Sequence, residues 1–207
     1  MNLVCFANNT GGGLVCDLLN NKFNINSYKT ANIEHSKFKI GDTPTVQFLF
    51  DIDQWNRIVD NNREFDSWGG THIHPSVIPD LSIFNRVIAI TTHSRNSKLY
   101  RFLRYYHGWF CTEHPNWTED NSLATIDKIR ELAKNVFVEF VEHPDCENIE
   151  FEHIVNGNFV TNNNLNIEYF TKWKLSNPWL YNIPEWSAKR FNEAEWELTH
   201  KKPYRYV

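Results

Sequence analysis

The sequence predicts an α/β protein: a mostly parallel sheet with helices packed over it, in one domain spanning residues 1–207. Three observations carry that expectation. Asn2–Phe6 is an apolar run that leads through the polar, glycine-rich stretch 8–13 into Leu14, Val15, Leu18 and Leu19 at helical spacing. Val87, Ile88, Ala89 and Ile90 form a continuous apolar run, typical of a strand covered on both faces. Strand and helix patterns then alternate over most of the chain.

Along the chain, residues 20–45 are rich in Asn, Lys and Ser and read as an irregular excursion with one short strand. Phe48, Ile52, Trp55 and Val59 recur on one face and predict a helix over 48–59. Residues 69–73 read as a buried strand stopped by Pro75 and Pro79, which cannot donate to an interior ladder. Residues 86–92 are the clearest strand. The stripe Leu99, Phe102, Leu103 and Tyr106 predicts a helix over 96–109, and a second is expected over 122–141 with Ser122 as its N-cap. A strand at 149–151 follows, and from about residue 164 the helices 165–175 and 186–200 pack on the outside, with a turn at Asn162, Asn163 and Asn164.

Composition narrows the function classes. Eight Trp, eight Tyr and fifteen Phe supply a core that needs no metal or disulfide to fold. No apolar run approaches the roughly 20 residues that span a bilayer, and Leu3 to Phe6 lack the basic flank of a signal peptide, so a cytoplasmic protein without a membrane partner is expected. Cys5, Cys16, Cys111 and Cys146 show no CxxC spacing and read as reduced, mostly buried thiols. A net charge of −4 gives no basic field for a nucleic-acid partner.

Glycine is scarce, eight residues in all, and concentrated: Gly11, Gly12 and Gly13 are consecutive, and Gly69 and Gly70 are paired. A strand that ends in glycines before a helix aims several backbone N–H groups at one point, at the positive end of the helix dipole. The segment lacks the lysine of GxxxxGK[ST] and is not GxGxxG, which disfavours kinase or ATPase chemistry. An anion cradle and a tight strand-to-helix turn without a ligand both fit it. His72 and His74 in Thr71-His72-Ile73-His74-Pro75 would share a strand face, where one serves as a general base or both join His93, on a neighbouring parallel strand, as metal ligands. Thr92-His93-Ser94-Arg95-Asn96-Ser97-Lys98 follows the clearest strand, with Arg101 and Arg104 beyond it. This is the end of the sheet at which open α/β folds bind ligands, and a solvated helix face is the plainer reading of Lys98, Arg101 and Arg104.

With these pieces in this order, the chain resembles the P-loop sulfotransferases, which carry a sulfuryl group from 3′-phosphoadenosine 5′-phosphosulfate to a hydroxyl or amine. The resemblance lies in residues 6–19, 71–79 and 86–106, and in Ile149-Glu150-Phe151-Glu152-His153-Ile154-Val155, which is similar to an acidic strand-to-helix segment of that family. It implies a three-layer, P-loop-like fold, the phosphosulfate nucleotide as donor without a metal, and a small-molecule or glycan acceptor. It further implies that Thr10, Gly11, Gly12, Gly13 and Leu14 hold the 5′-phosphosulfate, that Arg95 and Ser97 hold the 3′-phosphate, and that His72 is the catalytic base. Asn8 and Asn9 stand where the family carries Lys or Arg, so the leaving group would draw on Lys98, Arg101 or another cation. Two alternatives stay open: a nucleotide- or anion-binding relative without catalysis, and a metal-dependent hydrolase built on His72, His74 and His93.

Overall fold

Five consecutive buried residues, Asn2–Phe6, make the first strand, β1. Their side chains alternate between two cores, Val4 and Phe6 entering one and Leu3 and Cys5 the other. The computed structural model describes residues 2–20, 48–49, 68–78, 80–107, 134, 136–137 and 139–200. Among them β1 is joined by β2 (Phe48–Leu49), β3 (Trp68–Thr71), β4 (Arg86–Thr91) and β5 (Glu147–Glu150). All pair in parallel, in the order β2-β3-β1-β4-β5. Cys5 lies opposite Thr71 and Phe6 opposite Ile90, so β3, β1 and β4 end together along one edge of the sheet.

The helices α1 (Gly12–Leu19), α2 (Arg95–Tyr105), α3 (Phe151–Val155), α4 (Asn158–Asn162), α5 (Ile167–Leu175) and α6 (Glu185–His200) follow in chain order. The face of the sheet carrying Val4, Phe6, Ile88 and Ile90 packs with Leu14, Phe102, Phe151, Phe159, Trp173 and Phe191, so these six helices share one core. Each such side chain, fully buried, contributes roughly 1.5–3 kcal/mol. The opposite face, with Leu3, Cys5, Ala7 and Val87, packs among the described residues against Ile78, Phe84 and Phe140, from two short 3-10 turns and an irregular segment. Asn20 ties the layers together: its side chain both donates to the Trp68 carbonyl and accepts from the Trp68 N–H, at 2.9 and 2.8 Å, joining the end of α1 to the start of β3.

Several boundaries differ from expectation. Phe48 and Leu49 lie in a strand rather than a helix, because they pair with Gly70 and Thr71; the rest of the expected 48–59 helix, and the 20–45 excursion after Asn20, lie outside the described residues. β3 stops at Thr71, before either histidine. The expected 122–141 helix is described only at residues 134, 136 and 137, which are helical, and at 139–141, which are not. The last expected strand ends one residue early, since Phe151 already opens α3, and α4 carried no sequence expectation. Cys5 and Cys16 are buried free thiols, as their spacing implied, and burial raises both well above the ordinary thiol range; Cys111 lies outside the described residues. Among the described residues no helix is long and apolar enough to cross a membrane.

One packing detail has a measurable consequence. His107, just beyond α2, is 6% exposed, stacks on Trp179 at 5.2 Å and meets the Ser187 hydroxyl at 3.1 Å. Burial lowers its pKa to about 4. The unfolded chain therefore takes up this proton first, near pH 6.5, so the contribution to stability is complete above that pH and falls as pH drops from 6.5 toward 4. The expected loss is on the order of 2–3 kcal/mol after allowance for screening. Urea melts at intervals across this window should show the decline in the native chain and a flatter profile in His107→Phe, and parallel profiles would contradict the assignment.

Candidate functional site

The sheet edge after β3, β1 and β4 gathers most of the residues singled out in the sequence. Beyond Phe6 the chain turns through Asn9 and Gly11, both left-handed at φ 64° and 76°. Asparagine and glycine are the residues that enter this region at least cost. Thr10 is buried and directs both its N–H and its hydroxyl to the Ala7 carbonyl, the hydroxyl at 2.6 Å, which closes the turn.

The three glycines have different reasons to be glycine. At Gly11 the reason is the positive φ. At Gly12 a Cβ would overlap the Phe6 ring. Among the described residues, a Cβ at Gly13 would meet nothing within 4 Å, so none of them closes off the start of α1 there. The Val15 N–H reaches the Gly11 carbonyl at 3.1 Å, which leaves the N–H groups of Gly12, Gly13 and Leu14 ahead of that first helical bond, at the positive end of the dipole. Leu14 contributes only backbone, since its side chain is 1% exposed in the core.

A buried cation reaches the loop from α2. Arg101 is 5% exposed; its Nε donates to the Asn8 carbonyl at 3.1 Å and its Nη1 to the Val136 carbonyl at 3.2 Å. Burial lowers its pKa, yet a guanidinium stays charged at any working pH. Arg104 lies over the Trp173 ring, 5.6 Å from its centroid, and beside Gly11. The solvated-face reading fails for Arg101, because α2 turns this residue toward the loop. The helical spacing of Arg101 and Arg104 was visible in the sequence; that they meet Asn8 and Gly11 follows only from β4 lying next to β1.

His72 leaves the end of β3 and crosses to β1, where its Nδ1 meets the Phe6 carbonyl at 3.1 Å and its ring stands edge-on to the Phe6 ring at 4.6 Å. A carbonyl only accepts, so in the neutral imidazole Nδ1 carries the hydrogen and Nε2 the lone pair, the tautomer of a general base. His74 turns elsewhere. It caps the Pro75–Val77 turn, with Nδ1 2.7 Å from the Ser76 hydroxyl and Nε2 3.0 Å from the Val141 carbonyl. Because β3 ended at Thr71, the two histidines do not share a strand face. β1 separates β3 from β4, so His93 is not on a neighbouring strand of His72 either; its ring pairs with Glu139 at 3.6 Å. Among the described residues no group of three His, Cys, Asp or Glu side chains is placed to hold a metal ion.

The turn after β4 is saturated by carboxylates. Glu150, at the end of β5, accepts from the N–H groups of His93 and Ser94 and from the Ser97 hydroxyl, while Glu152 accepts from Ser94 Oγ and Asn96 Nδ2. Ser97 is fully buried in this network and its oxygen accepts from the Glu152 N–H. Arg95 lies outside it, with its Nε and Nη2 on the Glu195 carboxylate at 2.9–3.1 Å and Nη2 on Asn192 Oδ1 at 2.7 Å. Lys98 pairs with Glu139 at 2.6 Å. Sequence reasoning missed these acidic partners because they lie some 40 to 100 positions away.

The edge therefore brings together Thr10 to Leu14, Arg101 and His72, and holds Arg95 and Ser97 at the start of α2 in contacts with acidic side chains. Of the tryptophans in the C-terminal half, Trp173 is buried and Trp179 and Trp186 pack against the same core, whereas Trp196 is exposed. No protein-family model, curated protein or solved structure matches the chain.

Proposed function

We propose that this chain binds the phosphosulfate end of 3′-phosphoadenosine 5′-phosphosulfate over the Gly11 to Gly13 turn and transfers its sulfuryl group to a hydroxyl or amine, on a P-loop-like fold. One observation carries the reading: His72, oriented by the Phe6 carbonyl, stands at the same sheet edge as a helix start that opens at Gly13 and is backed by Arg101.

The residues suit the donor's anionic end. N–H groups at the start of α1 and a buried guanidinium are fixed before a ligand arrives, and such preorganised donors stabilise developing charge without reorganisation. The acceptor would lose its proton to His72 Nε2 as its oxygen or nitrogen bonds to sulfur, while the bond from sulfur to the nucleotide's phosphate oxygen breaks. The phosphate then keeps the electron pair, and its added charge falls where Arg101 and the helix dipole are nearest. Ser97 acts in this scheme by holding the turn through Glu150, and Arg95 is left to meet the 3′-phosphate.

Binding without transfer is a second reading, favoured by Asn8 and Asn9, which leave the loop itself without a cation. Incubation with the phosphosulfate nucleotide and a panel of phenols, alcohols, amines and glycans separates the two. Acceptor-dependent release of adenosine 3′,5′-bisphosphate is the expected result. Nucleotide binding with no release on any acceptor would leave the binding reading alone.

A further inference from the structure

Arg95 opens α2 at the same sheet edge as the glycine turn, and among the described residues its side-chain hydrogen-bond and ring partners come from α6. Phe191, Asn192 and Glu195, spaced i, i+1 and i+4, present a ring, an amide oxygen and a carboxylate toward one guanidinium. The guanidinium carbon lies 5.2 Å from the centroid of the Phe191 ring, which is 1% exposed and so a fixed floor. Two nitrogens of the fork are spent on the Glu195 carboxylate, and one of them also reaches Asn192. This is the planar geometry in which arginine binds a phosphate monoester.

Resting on the reading above, we propose that Glu195 is a specificity-determining residue. Its carboxylate occupies the place of a phosphate monoester on Arg95, and a nucleotide carrying a 3′-phosphate gains that contact only by displacing it. The pair is built to exchange, because the Arg95 side chain is 56% exposed and the Glu195 side chain 29% exposed, and ion pairs so open to water are weakly held. A phosphate monoester carries more charge and more acceptor oxygens than the carboxylate. Glu195 thus lowers affinity for 3′-phosphorylated nucleotides and leaves other nucleotides unaffected.

The test is calorimetric titration of the full chain and of Glu195→Gln, each with adenosine 3′,5′-bisphosphate and with adenosine 5′-monophosphate. Glutamine keeps an oxygen for Arg95, so the guanidinium stays over Phe191 and α6 stays in place, and a thermal melt checks this. The expected result is that Glu195→Gln binds the bisphosphate about five- to tenfold more tightly while the monophosphate is unchanged. The gain should vanish in the double variant with Arg95→Gln, and should be absent in Glu168→Gln, which removes an equal charge on α5. An unchanged or weakened bisphosphate affinity in Glu195→Gln, or an equal gain for both nucleotides, would overturn the inference while wild-type binding leaves the proposed function standing. If no variant and no wild-type protein binds either nucleotide, both fall.

Discussion

Gly12→Ala is expected to lower stability by about 3 kcal/mol or more, a large effect for the smallest possible side chain. The new methyl group would overlap the Phe6 ring, which is 3% exposed at the end of a central strand and has no open side to move into. Overpacking of a fixed core usually costs about 1–3 kcal/mol, and here the obstacle is a rigid ring rather than the tip of a flexible chain. Because the Phe6 ring and carbonyl also hold His72, the same substitution should disturb the base. Urea denaturation should show the midpoint falling by about 1 M with the slope preserved. A stability equal to that of the native chain would mean that Gly12 does not seat against Phe6.

His72→Ala should reduce sulfuryl transfer by about 10²–10⁴-fold, the usual range for removing a positioned general base. Binding of adenosine 3′,5′-bisphosphate should stay unchanged, because the base serves the acceptor and not the donor. A rate unaffected by the substitution would remove His72 from the mechanism. His74→Ala is the matched control: it takes away a histidine two positions on, whose ring bonds to Ser76 and Val141 lie apart from the glycine turn.

Local pattern reached a large part of this architecture. The apolar runs at β1 and β4 and the helical stripe of α2 were legible because each is decided by contiguous residues that bury one or both faces. The glycine triplet was legible as a place of unusual backbone, but not as three separate constraints, since the overlap at Gly12 and the open space at Gly13 depend on where Phe6 and its neighbours lie. β2 was misread because two residues carry no period of their own, and Phe48 and Leu49 pair with Gly70 and Thr71. His74 was misread because the strand ends at Thr71, after which spacing by two no longer means a shared face. Arg101 looked like surface, although its position brings it to Asn8 once β4 lies beside β1. The carboxylates on Arg95 and Ser97 could not be foreseen, because the elements that carry them return to this edge from the last third of the chain.

Whether an anion binds over Gly13 is decided by calorimetric titration of the native chain and of Gly13→Glu with adenosine 3′,5′-bisphosphate. Among the described residues nothing stands within 4 Å of a Cβ at this position, and a glutamate near a helix start suits the dipole and removes the conformational freedom of glycine, so the variant should melt at the same temperature or higher, a gain of about 1 kcal/mol. The same carboxylate fills and charges the proposed cradle, so the native chain should bind the nucleotide and the variant should bind it at least about tenfold more weakly. Equal affinity in a folded Gly13→Glu, or no binding by the native chain, would rule out an anion site at this turn.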